Sequence, residues 1–525
     1  MYTKNTSERR YFLGIDIGTY ESKGVLVKDD GQILASAARP HGLELPRPGW
    51  AEHDADGVWW SDFKSITREL LDRTGIQPEM VQAVGCSAIG ADMLPVDNQG
   101  KPLRKAILYG IDTRAVKEIS ELNQALGPEN ILRLSGNTLS AQAIGPKILW
   151  YRRHEPELFD KTARIMTATS YLVYRLTGRV VIDFYTAPSY APLFDINALR
   201  WDKEACAYVL GDVGLLPELA WPGEVAGTVT GAAAQECGLV PGTPVVAGTC
   251  DAAAEAIAVG VTEPGDMMIM YGTTMFFIHV TSQLTVSKEL WSSVYCEPGM
   301  YAVAGGMATA GAITRWFRDT LAPELVASEH SGGENAYARL TAEATASPPG
   351  SRGLVVLPYF SGERTPINDP AARGIIAGLT LSHNRGDLFR AILEGTAYGV
   401  RHHLMTMAGL GMTPGRLVAV GGGTKSPLWL KIVSDVAGFK QELYPGNPGA
   451  SYGDAFLAAL GTGMFSKLSE IKKRWLGEPE VVLPEDGATR AYYDEFYALY
   501  RELYTKTKDI AHRLAALGES YEAGS

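Results

Sequence analysis

The chain has 525 residues, 46% of them hydrophobic, with a formal net charge of -11 and no lysine- or arginine-rich run, which allows two large domains and excludes a partner held through nucleic-acid phosphates. The five cysteines, Cys86, Cys206, Cys237, Cys250 and Cys296, form no CxxC pair and the nine histidines no HExxH, so neither a disulfide framework nor a zinc site is indicated, and a reducing compartment fits. The opening MYTKNTSERR lacks the apolar core of a signal peptide and no apolar run approaches the ~20 residues of a spanning helix, so a cytoplasmic protein without a membrane partner is expected.

In chain order, YFLGIDIG reads as a strand, KGVLVKD as a second, and QILASAA as a third after a turn at Asp29, Asp30 and Gly31. DGVWWSDFKSITRELLDRTG reads as a helix ended by Gly75. VQAVGCSAI and KAILYGID read as further strands, and AIGPKILWYRRHEPELF as helical. VVAGTCDAAAEAIAVG passes from a buried strand to an alanine-rich helix, with Asp251 at the junction. GDMMIMYGTTMFFIHV again gives strand, Gly-Thr turn, strand. GMYAVAGGMATAGAITRWFRDTL gives strand, small-residue turn, helix, and GLVVLPYFSGERTP a strand running into a loop. LSHNRGDLFRAILEGTAYGVRHHLMTMAGLG is one long helix, and RLVAVGGGTKSPLWLKIVSDVAG a strand, a glycine turn and a helix. Near the end, Tyr493, Phe496, Tyr497, Tyr500 and Tyr504 fall at helical spacing and predict a packed helix, and ESYEAGS is expected to be disordered. Strands alternating with helices mean an α/β architecture. The Gly-Thr hairpin near residue 18 recurs near residue 272, a weak internal similarity that predicts two related halves with a cleft between them.

Three turns combine glycine with threonine: Asp16-Ile17-Gly18-Thr19, Tyr271-Gly272-Thr273-Thr274 and Gly421-Gly422-Gly423-Thr424. Glycine lets backbone N–H groups come close to an anion, and threonine adds a hydroxyl donor. The last turn precedes a helix beginning near Ser426, an arrangement suited to a nucleotide. Each turn alone is weak evidence, because Gly-Thr occurs in many hairpins that hold no ligand. Neither GxxxxGK[ST] nor a strand-placed GxGxxG is present, so the P-loop and dinucleotide fingerprints are excluded. Asp16 would repel a phosphate beside it unless a cation intervened, which makes it a candidate Mg²⁺ ligand. Lys23, on the second strand, can neutralise phosphate or stand solvated on its strand. Asp251 reads either as a helix cap or as a base aimed at a ligand.

The ordered set GIDIGTYESKGVLV, PGWAEHDADGVWW, AILYGIDTR, VVAGTCDAAAEAIAVG, MYGTTMFF, LPYFSGERTPINDPAARGIIAGLTLSH, RAILEGTAYGVRHHL and VGGGTKSPLWLKIVSDVAG resembles the FGGY family of carbohydrate kinases, within the actin–Hsp70–hexokinase superfamily. The resemblance spans roughly residues 11 to 510. It implies two ribonuclease H-like, actin-like ATPase domains with a catalytic cleft between them: residues 9–262 with the sugar site, the catalytic aspartate and the first phosphate motif, residues 263–512 with the second phosphate and adenosine motifs, and a tail at 513–525. It implies ATP and Mg²⁺ as cofactors and a small sugar as the partner, and it makes a homodimer possible.

By the same resemblance, Asp251 is the general base that takes the proton of a sugar hydroxyl as it attacks the γ-phosphate of ATP, a role compatible with capping. Asp16 organises Mg²⁺, while Gly18, Thr19 and Lys23 serve the phosphates. Gly272, Thr273 and Thr274 grip phosphate, Gly311 lines the nucleotide, and Gly422, Gly423 and Ser426 hold the adenosine. The sugar side comprises Gly90, Ala91, Asp92, Asp112, Asp251 and Ala252. It departs from the family pattern. Xylulokinases carry Gln-Met-His-Gly where this chain has Ile89-Gly90-Ala91-Asp92, and AILYGIDTR, often written with Trp and Asn, holds an extra residue. Asp92 and Asp112 are candidate acceptors for sugar hydroxyls; Asp112 can equally form a salt bridge with Arg114. The expected substrate is a ketopentose of the xylulose or ribulose type. The alternatives are another polyol, a tetrulose, an aldonate or a signalling sugar, and, from another class, a non-catalytic nucleotide switch on the same fold.

Overall fold

A computed structural model describes residues 10–90, 92–485 and 487–524. The chain forms two units, one of Met1–Pro264, Val280–Val303 and Gly446–Glu478, the other of Gly265–His279, Ala304–Pro445 and Pro479–Ser525.

The first unit is built on a sheet of β1 (Tyr11–Ile17), β2 (Glu21–Lys28), β3 (Ile33–Pro40), β4 (Val81–Ala88), β5 (Val225–Thr228), β6 (Pro244–Val246) and β7 (Thr249–Cys250). The order is β5-β6-β4-β1-β2-β3, with β7 also on β4. β1, β2 and β3 form the antiparallel meander expected from the turn at Asp29–Gly31, and β4 runs parallel to β1, β6 and β7. β1 is buried throughout, as a central strand covered on both faces must be.

On one face lies α1 (Ser61–Thr74), which ends at Gly75 in the left-handed region with φ 64°. Its Ile66 sits where a side chain on Gly24 would be, so the glycine sets how closely helix and strand meet. The stretch before it, Ala55–Trp60, is a π-helix, with Asp54 accepting the N–H groups of Asp56 and Gly57. α2 (Ala168–Thr177) and α3 (Asp251–Ala258) follow. The other close approach comes from the helix Ala450–Gly461. A Cβ on Gly14 would overlap the Ser451 carbonyl oxygen, and one on Gly85 the Asp454 carbonyl oxygen. Gly453 in turn lies against the Ala254 carbonyl of α3. A second core of this unit gathers around Trp150, Tyr151, Tyr190 and Phe194. KAILYGID pairs as a strand only at Ala106–Ile107, and its remainder is loop.

In the second unit, β8 (Asp266–Tyr271) pairs antiparallel with β9 (Met275–Thr281) and parallel with β10 (Arg416–Val420). β11 (Gln441–Leu443) and β12 (Glu480–Val482) continue the sheet. Its hairpin thus repeats the relation of β1 to β2 and β4, which is the structural form of the weak similarity between residues 18 and 272. Helices α4 (Gly311–Leu321), α5 (Arg385–Gly409) and α6 (Pro427–Ala437) pack around it. α5 starts with a capping box between Asn384 and Asp387, and α6 with Ser426 as N-cap. The last helix, α7 (Ala488–Gly524), buries Tyr493, Phe496 and Tyr500, and its helical run continues through Gly524 into the stretch expected to be disordered, whose last residue, Ser525, lies outside the described residues. Among the described residues, no helix is long and apolar enough to cross a membrane.

Candidate active site

The ends of β1, β4 and β7 carry the first cluster. Their parallel registers set Asp16 beside Ser87 and Ser87 beside Thr249. The chain then turns straight into α3, whose first residue is Asp251. The N-cap position belongs to Cys250, which makes no side-chain cap, so Asp251 is not the capping residue. Its Oδ1 instead accepts the Ala252 N–H at 2.8 Å, and the Gly90 backbone N–H also supports the carboxylate. Burial pushes Asp251 up to about 6, against the pull of those two N–H groups. A carboxylate of that kind is largely ionised at neutral pH and basic enough to accept a proton from a hydroxyl.

Asp16 is 9% exposed. The Ser87 hydroxyl lies 2.9 Å from its Oδ1 and 2.7 Å from Oδ2 of Asp454 on the helix Ala450–Gly461. One hydroxyl proton cannot serve two carboxylates, so one of these contacts is donated by a carboxylic acid. Asp16 is held well above the usual range, by burial first and the Asp251 charge second, with the Ser87 bond opposing. Asp454 is raised by burial and by Asp16. Glu255, one turn after Asp251, is raised by burial as well. Lys23 opposes the rise of Asp16 and Glu255, yet its ammonium is 3.1 Å from Glu21 and 49% exposed. The cluster thus sets four acids, Asp16, Asp251, Glu255 and Asp454, against one lysine, and burial favours the neutral forms of Asp16 and Asp454. Hard carboxylate oxygens beside a glycine turn are the donor type a divalent cation takes, which keeps Asp16 a candidate ligand. Gly18 closes that turn by donating to the Glu21 carbonyl at 3.0 Å, and the Thr19 hydroxyl lies 3.0 Å from the Tyr109 hydroxyl.

The sugar-side residues separate into different roles. Gly90 lets β7 approach, because a Cβ there would stand 3.0 Å from Cys250 Cβ. Ala91 lies outside the described residues. Asp92 is fully buried and accepts the Ala168 N–H at the start of α2, at 2.9 and 3.2 Å to its two oxygens. Burial raises it well above the usual range. Asp112 is spent on Arg114 and Ala51: Oδ1 accepts the Arg114 N–H and Nε–H, and Oδ2 accepts Ala51 N–H at 2.8 Å and Arg114 Nη2 at 2.6 Å. The Arg114 guanidinium lies 3.9 Å over the Trp50 ring. This is the salt bridge the sequence left open. Ala252 contributes its N–H to Asp251. Lys147, in the helix Ile144–His154, donates to the carbonyls of Tyr109 (3.1 Å) and Ala141 (2.5 Å), and burial brings its amine down to about 7.

In the second unit, Gly272 N–H donates to the Thr274 carbonyl at 3.0 Å, closing the hairpin. The N–H groups of Ala310, Gly311 and Ala312 donate to the carbonyls of Thr273, Gly272 and Thr273. The start of α4 is thus docked on the hairpin, and a Cβ on Gly311 would press on the Gly272 oxygen at 2.5 Å. Thr273 is exposed. The glycine turn after β10 meets the same hairpin: Gly421, at φ 91°, and Gly423 both lie against Tyr271, and Gly423 also lies against the Trp429 ring. Gly421 and Gly422 are exposed, and Ser426 accepts the Trp429 N–H as cap of α6. The Tyr271–Thr274 hairpin and the Gly421–Thr424 turn therefore share Tyr271 as a common wall.

The sequence model of the FGGY family of carbohydrate kinases matches residues 11–258 with its N-terminal domain and residues 267–462 with its C-terminal domain. The chain belongs to the FGGY family of carbohydrate kinases. Among its relatives, the xylulose kinase of Bacillus subtilis is 27% identical over 505 residues, covering 95% of this chain and 98% of that one. A glycerol kinase of Nocardia farcinica is 29% identical over 492 residues, covering 90% and 94%. The crystal structure of the xylulose kinase from Rhodospirillum rubrum superimposes with a TM-score of 0.88 at 32% identity, covering 96% of this chain and all 100% of that one.

In this FGGY kinase the residues that sequence reading passed over are Ser87, Asp454, Glu255, Tyr109 and Lys147. Two carried a signal. Asp454 is an acid inside the apolar helical run ASYGDAFLAAL, and Glu255 follows Asp251 at helical spacing. Ser87, Tyr109 and Lys147 are ordinary residues in their local patterns, and only their neighbours give them a role.

Proposed function

We propose that this kinase transfers the γ-phosphate of ATP to a hydroxyl of a ketopentose of the xylulose or ribulose type, with Asp251 as general base. The observation that carries the reading is Asp251 itself: the first residue of α3, partly exposed, braced by two backbone N–H groups and brought up to about 6. Resemblance to xylulose kinases over nearly the whole chain supports the sugar class.

In the proposed reaction, the sugar hydroxyl gives its proton to an Asp251 oxygen while its oxygen bonds to the γ-phosphorus, and the bond to the ADP oxygen breaks. Ala252 and Gly90 hold the carboxylate in place for that transfer. Phosphoryl transfer draws mainly on positioning and charge neutralisation. Gly18 and Thr19, with Gly272, Thr273 and Thr274, serve the phosphates, Lys23 adds positive charge, and Gly422, Gly423 and Ser426 take the adenosine. Gly311 acts by allowing α4 to dock on the phosphate hairpin. Asp16 would hold Mg²⁺, which when bound supplies neutralisation of phosphate charge. Asp92 and Asp112 shape the sugar side chiefly by anchoring α2 and Arg114, since Asp112 has donors on both oxygens.

A second reading within the family, a smaller polyol as substrate, is favoured by the missing Met-His pair at Gly90 and Ala91 and by the resemblance to a glycerol kinase. The test is ADP release with ATP and Mg²⁺ across pentuloses, hexuloses, tetruloses, polyols and aldonates, with Asp251→Asn as control. A strong pentulose response, silent in the variant, supports the first reading. A response confined to glycerol or another polyol replaces it with the second.

A further inference from the structure

Tyr271 ends β8 and leads into the Gly272–Thr274 hairpin, while Gly421, the first residue after β10, opens the second glycine turn beside it. A Cβ on Gly421 would stand 2.8 Å from the Tyr271 carbonyl oxygen, and one on Gly423 would stand 2.9 Å from Tyr271 Cβ and 2.7 Å from the Trp429 ring. The second turn is thus seated on Tyr271 and Trp429. The Tyr271 ring is buried edge-on to Trp429, with centroids 5.3 Å apart, and the Trp429 indole donates to Thr396 Oγ1 on α5 at 2.8 Å. β10 lies between β8 and β11, and the phenol reaches past it: the Tyr271 hydroxyl donates to Gln441 Oε1 on β11 at 2.5 Å. The direction of that bond is fixed by the rest of the amide. Gln441 Nε2 faces the Leu430 carbonyl at 2.9 Å, a group that only accepts, so the amide presents its oxygen to Tyr271. The amide nitrogen also donates to Ser434 Oγ at 2.9 Å, which lies on α6 as Leu430 does. Burial pushes the phenol up, so it keeps its proton. Gln441 is fully buried, and without the phenol its oxygen would be an acceptor that water does not reach.

We infer that Tyr271 is a positioning residue for the nucleotide: its bond to Gln441 sets the spacing between the Gly272–Thr274 hairpin and the Gly421–Ser426 turn. α6 begins where the second turn ends, with Ser426 as its cap. A bond from the root of the hairpin, through Gln441, to the backbone and Ser434 of α6 therefore holds the two turns at one distance. A nucleotide would lay its phosphates on the first turn and its adenosine on the second. A ligand that spans two sites gains from the second only where their spacing matches its own length. Tyr271 touches no part of the nucleotide in this role; it acts through the turns on either side of it. Which turn takes which part of the nucleotide rests on the kinase reading above, whereas the link between the turns rests on the contacts alone.

The test compares the parent, Tyr271→Phe, Gln441→Met and the double variant. Affinity for a non-hydrolysable ATP analogue with Mg²⁺ is measured by calorimetry, and affinity for adenosine and for tripolyphosphate, the two ends of that ligand, by ligand-observed NMR. Tyr271→Phe should bind the analogue about tenfold more weakly, the scale of one buried hydrogen bond, while adenosine and tripolyphosphate each stay within about twofold of the parent. The double variant should bind the analogue no more weakly than Gln441→Met alone. A general loosening of the unit would weaken the two fragments as much as the analogue. That result, an analogue affinity in Tyr271→Phe equal to the parent's, or losses that multiply in the double variant would each overturn the positioning role. Should Gln441→Met not fold, Tyr271→Phe with the three ligands decides alone. A parent that binds no nucleotide removes the kinase reading and the positioning role with it, whereas a parent that binds the analogue and is matched by Tyr271→Phe removes the role and leaves the kinase reading standing.

Discussion

The Ser87 hydroxyl lies 2.7 Å from the Asp454 carboxylate, across 367 positions of chain. Its other neighbour is Asp16 at 2.9 Å. A single hydroxyl thus connects the candidate cation ligand at the end of the first strand to a buried acid near the end of the sequence. The link is possible because Gly14 and Gly85 let the helix Ala450–Gly461 press onto β1 and β4.

Asp454→Asn should stabilise the protein at alkaline pH. Burial and the charge of Asp16 raise the folded-state pKa of Asp454 above its ordinary value of 3.8. A raised carboxyl favours the folded state fully only below its unfolded value and loses that contribution as pH climbs toward the folded value. Asparagine does not ionise and escapes the loss. The variant should therefore gain on the order of 1–2 kcal/mol over the parent near pH 8, with the two converging near pH 4. Thermal melts at both pH values check this, and a variant less stable than the parent at the higher pH would contradict the assignment.

Asp251→Asn should lower turnover by about 10²–10⁴-fold while leaving affinity for the ATP analogue close to that of the parent. The amide keeps the acceptor for the Ala252 N–H and removes the proton acceptor for the sugar. Turnover near that of the parent would remove Asp251 from the base role.

Activity should fall on the acid side through about pH 6. Burial brings Asp251 up to about 6, and a base works only when ionised, so kcat/KM should drop by about tenfold per pH unit below that value and level off above it. A profile flat down to the ordinary aspartate range would mean that Asp251 is not the group whose ionisation limits the rate.

Gly85→Ala should destabilise the first unit by about 1–3 kcal/mol, because the new methyl meets the Asp454 carbonyl oxygen and the helix must move away from β4. The movement should also lengthen the Ser87–Asp454 contact. A thermal midpoint unchanged from the parent would show that the helix yields at no cost.

Much of the site is written in local patterns. Alternation and Gly-Thr turns predict the hairpins β1–β2 and β8–β9, and the structure gives both. The strand-to-helix junction at Asp251 is legible in the change from β-branched residues to alanines. KAILYGID was harder, because its apolar run reads as a full strand while only Ala106–Ile107 finds a pairing partner. The capping role offered for Asp251 also fails locally, since the turn places Cys250 at the N-cap and Asp251 one residue inside the helix.

The sequence by itself determined the α/β class, the family and the Gly-Thr hairpins, because these depend on periodicity and short-range backbone chemistry. The tertiary structure alone decided that Ser87 stands between Asp16 and Asp454, that Tyr109 reaches Thr19, that Asp112 is consumed by Arg114, and that burial pushes Asp251 up to about 6. Each of these depends on which distant segments share a desolvated space. Close approach through glycines and the charges of buried neighbours fix that, and neither has a local sequence pattern.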